Sequence, residues 1–197
     1  MVRVDLETRC AHHRKYGATF AETWTTHDGT TIVAVGAVVG GTDRIVVSDL
    51  LRAGARALVS SRAALDGAVA ALDRIVQHHA RERRDDELAA SIALLGFAAD
   101  GYAVDFVGAG NLDSTIFGAI VDERRALHGL SAALGTGIVA PDGRSRFECH
   151  RLHRDDLVVA STVRVDRAWW PAGDRSAAAL LRHSDAPEAS AAVIAIG

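Results

Sequence analysis

Residues 153–163 read HRDDLVVASTV: a charged bend, an apolar run, then Ser161 and Thr162. A strand that leaves a sheet this way delivers its last polar side chains to the sheet's end, so the residue type at 162 is a chemical choice. A carboxylate there would draw a hard divalent cation, whereas a hydroxyl brings no charge. Glu22 and Glu188 are carboxylates set in other apolar stretches. Thr30 follows Asp28-Gly29 and could act as a nucleophile if cleavage freed its α-amine as the general base. That chemistry also needs a lysine. The single lysine, Lys15, precedes the cleavage point, and Arg62 cannot exchange a proton near neutral pH. Cys10, His12 and His13, with Cys149, His150 and His153, supply zinc-type donors. On a strand, however, Cys149 and His150 point to opposite faces. Surface histidines and a buried cysteine account for them more simply, and His78-His79 reads as a solvated helix end.

The elements that would position these residues alternate between strands and helices. Residues 17–26 (GATFAETWTT) alternate like a strand, His27, Asp28 and Gly29 turn the chain, and residues 30–39 (TTIVAVGAVV) return as a buried strand. Gly40-Gly41 ends this hairpin, and Thr42 or Asp43 can cap a helix. Ile45, Val46, Asp49, Leu50, Ala53 and Ala57 recur at helical spacing and predict that helix's core face. Ser60 or Ser61 caps a second helix with Leu65, Val69, Leu72, Ile75 and Val76 on one face, fraying across 81–87. Three strands follow (87–98, 102–109, 114–122), with Asp100-Gly101 and Gly110-Asn111 as turns. The segments 145–152 and 156–162 read as a further hairpin-like pair. Arg175 to Arg182 forms a helix, and 190–196 is an edge or core strand. Two consecutive helices between sets of adjacent strands predict an α/β (α+β) fold. It is a four-layer αββα sandwich, with two mostly antiparallel sheets flanked by helices.

Composition narrows the function. The 197 residues suit a single domain at 15–197 behind an N-terminal extension at 1–14. The formal charge of −3 gives no electrostatic reason to expect nucleic acid, and Arg81, Arg83 and Arg84 are balanced by Glu82, Asp85, Asp86 and Glu87. The two cysteines make no disulfide framework, no apolar run spans a bilayer, and the N-terminus lacks a signal core. These features predict a cytoplasmic protein with reduced thiols that engages neither membrane nor nucleic acid. Residues 108–111 (GAGN) could cradle an anion, but a hairpin turn explains them. Trp169 and Trp170 are adjacent at a loop, and an exposed tryptophan there would offer an interface.

Two families use such sandwiches. DGTTIVAV resembles the start of a proteasome-type N-terminal threonine hydrolase, with Thr30 as the nucleophile. A longer resemblance, over roughly residues 15–196, is to the PP2C (PPM) type of metal-dependent protein phosphatase, in its bacterial SpoIIE/RsbX-like branch. TTIVAVGAVVGG looks like the strand ending in V-A-D-G-x-G-G. YAVDFVGAGNLDSTIFG resembles the strand–G-x-G-N–strand segment, and HGLSAALGTGI the glycine-rich segment after it. FECHRLHRDDLVVASTV is similar to the strand, G-D bend and strand ending in S-D-G, and HSDAPEASAAVIAI to the last strand with its Asp-Asp pair. The resemblance implies aspartates holding two Mg²⁺ or Mn²⁺ ions that ionise the attacking water. This chain departs from that pattern. It has Gly36 and Ala37 for Asp-Gly, Thr162 for the aspartate of S-D-G with Val163 for its glycine, Glu188-Ala189 for Asp-Asp, and Glu22 on the first strand. The expectation is a pseudophosphatase: a protein-binding module without catalytic residues and without a metal cofactor. A STAS-domain protein or its kinase is the partner implied, and a homo-oligomer is compatible with it. The alternatives are an active serine/threonine phosphatase, with Mn²⁺ or Mg²⁺ on Glu22, Glu188 and Asp28 or Asp166, and the threonine hydrolase.

Overall fold

The computed structural model describes residues 1–10, 18–119, 124–137, 146–165 and 174–197. In chain order the elements are β1 (Val2–Arg9), β2 (Thr19–Thr25), β3 (Thr31–Val39), α1 (Arg44–Leu58), α2 (Leu65–Arg83), β4 (Ala89–Phe97), β5 (Ala103–Ala109), β6 (Asp113–Phe117), β7 (Arg124–Ala126), β8 (Phe147–Arg151), β9 (Leu157–Ser161), α3 (Ala177–Arg182) and β10 (Ala189–Ile196). One sheet runs β1-β10-β9-β6-β7 and the other β2-β3-β4-β5-β8, antiparallel throughout.

Side-chain alternation sorts the core into three layers. Val33, Val35, Leu95 and Phe97 meet Val158, Ala160, Ala192 and Ile194 between the sheets. The opposite face of β3 and β4, with Ile32 and Ile92, packs under Val47 and Leu51 of α1 and Leu65, Val69 and Leu72 of α2. On the far side, Leu180 and Leu181 of α3 cover Val159 and Val193. β3 and β4 are therefore apolar on both faces, as strands covered on both sides must be. This is the four-layer αββα sandwich that the order of elements predicts.

Four local readings are corrected. Residues 1–14, taken as an extension, contribute β1. Its eight residues pair in unbroken register with β10, and Asp5 accepts the Ala177 N–H at the start of α3 (2.8 Å). The face of α1 in the core is Val47, Ser48, Leu51 and Ala55, whereas Val46 and Leu50 are exposed. The helix is apolar on two adjacent faces, and its neighbours choose between them. Gly54 lets Leu72 and Ile75 of α2 approach closely, and Arg52 reaches Glu22 on β2. β8 and β9 do not form a hairpin: β8 pairs with β5 and β9 with β6 and β10, in different sheets. Gly110-Asn111 likewise is no hairpin turn, because it carries the chain from β5 in one sheet to β6 in the other.

The bend before β9 depends on a buried carboxylate. Asp155 adopts a left-handed φ of 66°, the conformation for which a glycine is usual. Asp156, 1% exposed, accepts the N–H groups of Ala119 (3.0 Å) and His153 (2.8 Å). Asp156→Ala should take the charged acceptor from both N–H groups and cost about 3 kcal/mol, lowering the melting temperature by on the order of 6–12 °C. A thermal melt checks this, and a shift under 2 °C would contradict it.

Candidate functional site

One end of the space between the sheets is lined by hydroxyls. The inward-facing set on β10 is Ala192, Ile194 and Ile196, so Ser190 continues it, while Thr8 continues Val2, Val4 and Leu6 on β1. On the facing sheet, Thr19, Ala37 and Ser91 stand opposite one another across β2, β3 and β4. Ser190, fully buried, places its Oγ 3.1 Å from Thr8 Oγ1 and 3.0 Å from Thr19 Oγ1, the latter across the gap between sheets. Thr162 joins from the end of β9: its Oγ1 accepts the Ser190 N–H at 2.9 Å, and its own N–H donates to the Ser190 carbonyl at 3.0 Å. Ser91 Oγ accepts the Asn111 N–H at 3.1 Å. Glu188, two residues before Ser190, accepts the Ala18 N–H at 3.1 Å and so pins the start of β2.

Of the five positions singled out from sequence, three gather here: Ala37, Thr162 and Glu188. Glu22 does not. It lies on the face of β2 shared with Phe20 and Trp24, under α1, where Arg52 grips its carboxylate through Nε (2.7 Å) and Nη2. Gly36 also faces the helices, with the Phe20 ring so close that a Cβ would stand 2.5 Å from it. Asp28 sits in the turn beyond β2, at the other end of the strand from Ala18, and is held by Thr26 and Thr30. Those hydrogen bonds, Thr26 first, keep its carboxyl below the usual range. Glu22, Glu188 and Asp28 therefore do not converge. Asp166, Trp169, Trp170, Lys15, His12 and His13 lie outside the described residues. The sequence reading missed Thr8, Thr19, Ser91 and Ser190. The available signal was that each continues an inward-facing alternation one step past the apolar core.

The fold has counterparts among solved structures. The catalytic domain of the serine/threonine phosphatase PstP, in complex with two manganese ions, aligns with a TM-score of 0.75 at 14% identity, over 100% of this chain and 99% of that one. A structure of the bacterial stressosome aligns at 0.74 and 14% identity, over 98% of each chain. RsbX in complex with magnesium aligns at 0.73 and 10% identity, over 100% and 96%. The architecture is thus that of the PP2C-type phosphatases. No protein family and no curated protein matches the sequence itself. The metals that this fold implies need several carboxylates together. The end layer instead offers hydroxyls that bond to one another, and a glutamate already engaged by a backbone N–H. Among the described residues no group of three or more His, Cys, Asp or Glu is placed to hold a metal ion. The described residues do not fit a pair of divalent cations.

The remaining candidates resolve separately. Thr30 is buried, its N–H is held by Asp28 (3.2 Å), and the chain before it is β2, paired with β3 along seven positions and supplying Phe20 to the core. A strand so embedded is not a removable leader, and Arg62 is occupied by Asp105 on β5. The N–H groups of Gly110 and Asn111 are taken by carbonyls and by Ser91, leaving no anion cradle there. His78 is solvated as expected, but His79 turns in towards Asp43 (3.5 Å). Cys10 follows β1 and Cys149 lies on β8, and these are edge strands of different sheets. β1 lies beside β2, at the edge of the second sheet away from β8. The two cysteines therefore do not form one zinc site. Cys149 is exposed rather than buried, opposite Asp105 in the ladder, with Arg62 Nη2 3.7 Å from its sulfur. The Asp105 carboxylate, seconded by burial, pushes its thiol above the ordinary range, and Arg62 opposes this only in part. Thiolate is the reactive form, so raising the thiol's pKa delays alkylation to higher pH. Asp105→Asn removes the dominant cause and leaves the cation. The pH midpoint of Cys149 alkylation by iodoacetamide, followed by mass spectrometry, should then move down. An unchanged or higher midpoint would refute the assignment.

Proposed function

We propose that this chain is a protein-binding regulatory module on a PP2C-type scaffold, a pseudophosphatase that does not hydrolyse phosphoryl groups. The observation that carries the reading is the neutral end layer. Thr8, Ser190, Thr162 and Thr19 are linked by hydrogen bonds where the resembled family gathers aspartates. A hydroxyl cannot offset the mutual repulsion of two dications, and Glu188 alone is too little charge to do so. The fold is shared with serine/threonine phosphatases, so the loss of hydrolysis rests on these residues and not on the architecture. For the partner, the likeness to a stressosome structure and the SpoIIE/RsbX-like order of motifs support a STAS-domain protein or its kinase. Fold analogy, not a residue of this chain, carries that identity. No helix among the described residues is long and apolar enough to cross a membrane, and a cytoplasmic setting goes with such a partner.

Two measurements test the reading. A ligand that binds only the native state raises its stability by mass action, about 2.7 kcal/mol at a hundredfold excess over Kd. Mn²⁺ or Mg²⁺ at millimolar concentration should leave the melting temperature unchanged. Phosphopeptides and aryl phosphates should be hydrolysed no faster than background. Hydrolysis that requires Mn²⁺ and survives repurification would make the protein an active phosphatase with an unusual metal site and would overturn the proposal.

A further inference from the structure

The second apolar face of α1 has no covering layer among the described residues. Val46, Leu50, Ala53 and Ala57 are spaced 4, 3 and 4 residues apart, which keeps them on one narrow stripe of the helix. All four are exposed, Val46 at 48% and Leu50 at 39%. The spacing is that of a helix–helix seam over two heptads, with two branched side chains at one end and two alanines at the other. Beside the stripe, on one flank and seven residues apart, stand Asp49 and Arg56. Asp49 is exposed, with Arg52 at 3.3 Å. Arg56 lies over the Trp24 ring, 5.7 Å from its centroid, which holds the guanidinium in a defined place at the edge of the stripe.

This charge pattern selects the occupant. When two identical helices pack antiparallel about a two-fold axis, each flank meets the same flank of the other with its direction reversed. Asp49 then faces Arg56 of the partner subunit, and symmetry supplies the pair twice. The same operation sets the bulkier end of each stripe, Val46 and Leu50, against the alanine end of the other, so the seam fills without a clash. A parallel pair would bring the flank of Asp49 against Gly54 of the partner subunit and make no ion pair. The geometry points to a second copy of this chain as the partner, docked antiparallel on α1. The helix is about 22 Å long, so the contact falls at the small end of specific interfaces and the dimer should be weak and concentration-dependent.

Sedimentation equilibrium across roughly 1 to 500 µM tests this, with light scattering as a second measure of mass. The wild-type mass should rise from monomer towards dimer. Leu50→Glu should abolish the rise, and Asp49→Arg should weaken the dimer by about tenfold by setting arginine against arginine. The double variant Asp49→Arg with Arg56→Asp should restore it. Leu50 and Asp49 are exposed and Arg56 gives up only its contact over Trp24, so each variant should still unfold in one transition within about 4 °C of the wild type, which confirms that folding is intact. A wild type that stays monomeric throughout, association indifferent to Leu50→Glu, or a charge-swapped double variant no better than Asp49→Arg would each overturn the proposal. None of these outcomes bears on the metal response of the end layer.

Discussion

The Ser190 hydroxyl touches both sheets. It bonds to Thr8 on a neighbouring strand of its own sheet and to Thr19 on the facing one, while the Ser190 backbone is clasped by Thr162. Such a junction exists only if β1, β10, β9 and β2 all end at the same height. Because side chains alternate with period two, a slip of one residue in any ladder would send a hydroxyl to the outer face and a core residue into its place. The apolar filling between the sheets sets those registers and the end layer inherits them. Asp156 fixes where β9 begins, Glu188 fixes where β2 begins, and Asp5 ties β1 to α3.

A neutral layer has electrostatic consequences. Hydroxyls donate and accept among themselves, so each can be satisfied without a counterion. A cluster of carboxylates in the same place would repel and would need cations to be stable. Two of the carboxylates that this chain holds close to the core are paired locally instead: Glu22 with Arg52 under α1, and Asp105 with Arg62 beside β8. The ladder registers hold the sheet ends aligned, and apart from Glu188 the side chains gathered there are neutral.

Much of this was legible in the sequence, and the reasons for the failures are physical. β3 and β4 announce themselves as apolar on both faces, and α2 presents a single stripe that buries as read, apart from the half-buried Ile75. α1 was misread because 46/50/53/57 and 47/51/55 are both apolar rows, and only Gly54 against α2 and Arg52 against Glu22 decide which turns inward. β5 to β6 and β8 to β9 read as hairpins because turn residues mark a reversal without saying which sheet the next strand joins. Ala37, Thr162 and Glu188, singled out through motif order, lie at the end layer. Glu22 was misplaced by one strand face, since a carboxylate at an even position of β2 falls with Phe20 and Trp24. The hydroxyls of Thr8, Thr19 and Ser190 carry no motif, and their meeting depends on how two sheets stack, which local pattern does not encode.

The proposed function requires that the strand ends converge and lack only the charge to hold a metal. Replacing Ala37 and Thr162 together by aspartate tests it, because the two positions neighbour Thr19 and Ser190 on facing sheets. Without metal, the double variant should melt below the parent, since two new carboxylates would share the layer with Glu188. Millimolar Mn²⁺ should restore its melting temperature, leave the parent unmoved, and act more weakly on either single variant. Catalysis is not expected to return, because positioning to a fraction of an ångström is a separate requirement. A double variant as stable as the parent and indifferent to Mn²⁺ would show that positions 37 and 162 do not meet, and would contradict the account.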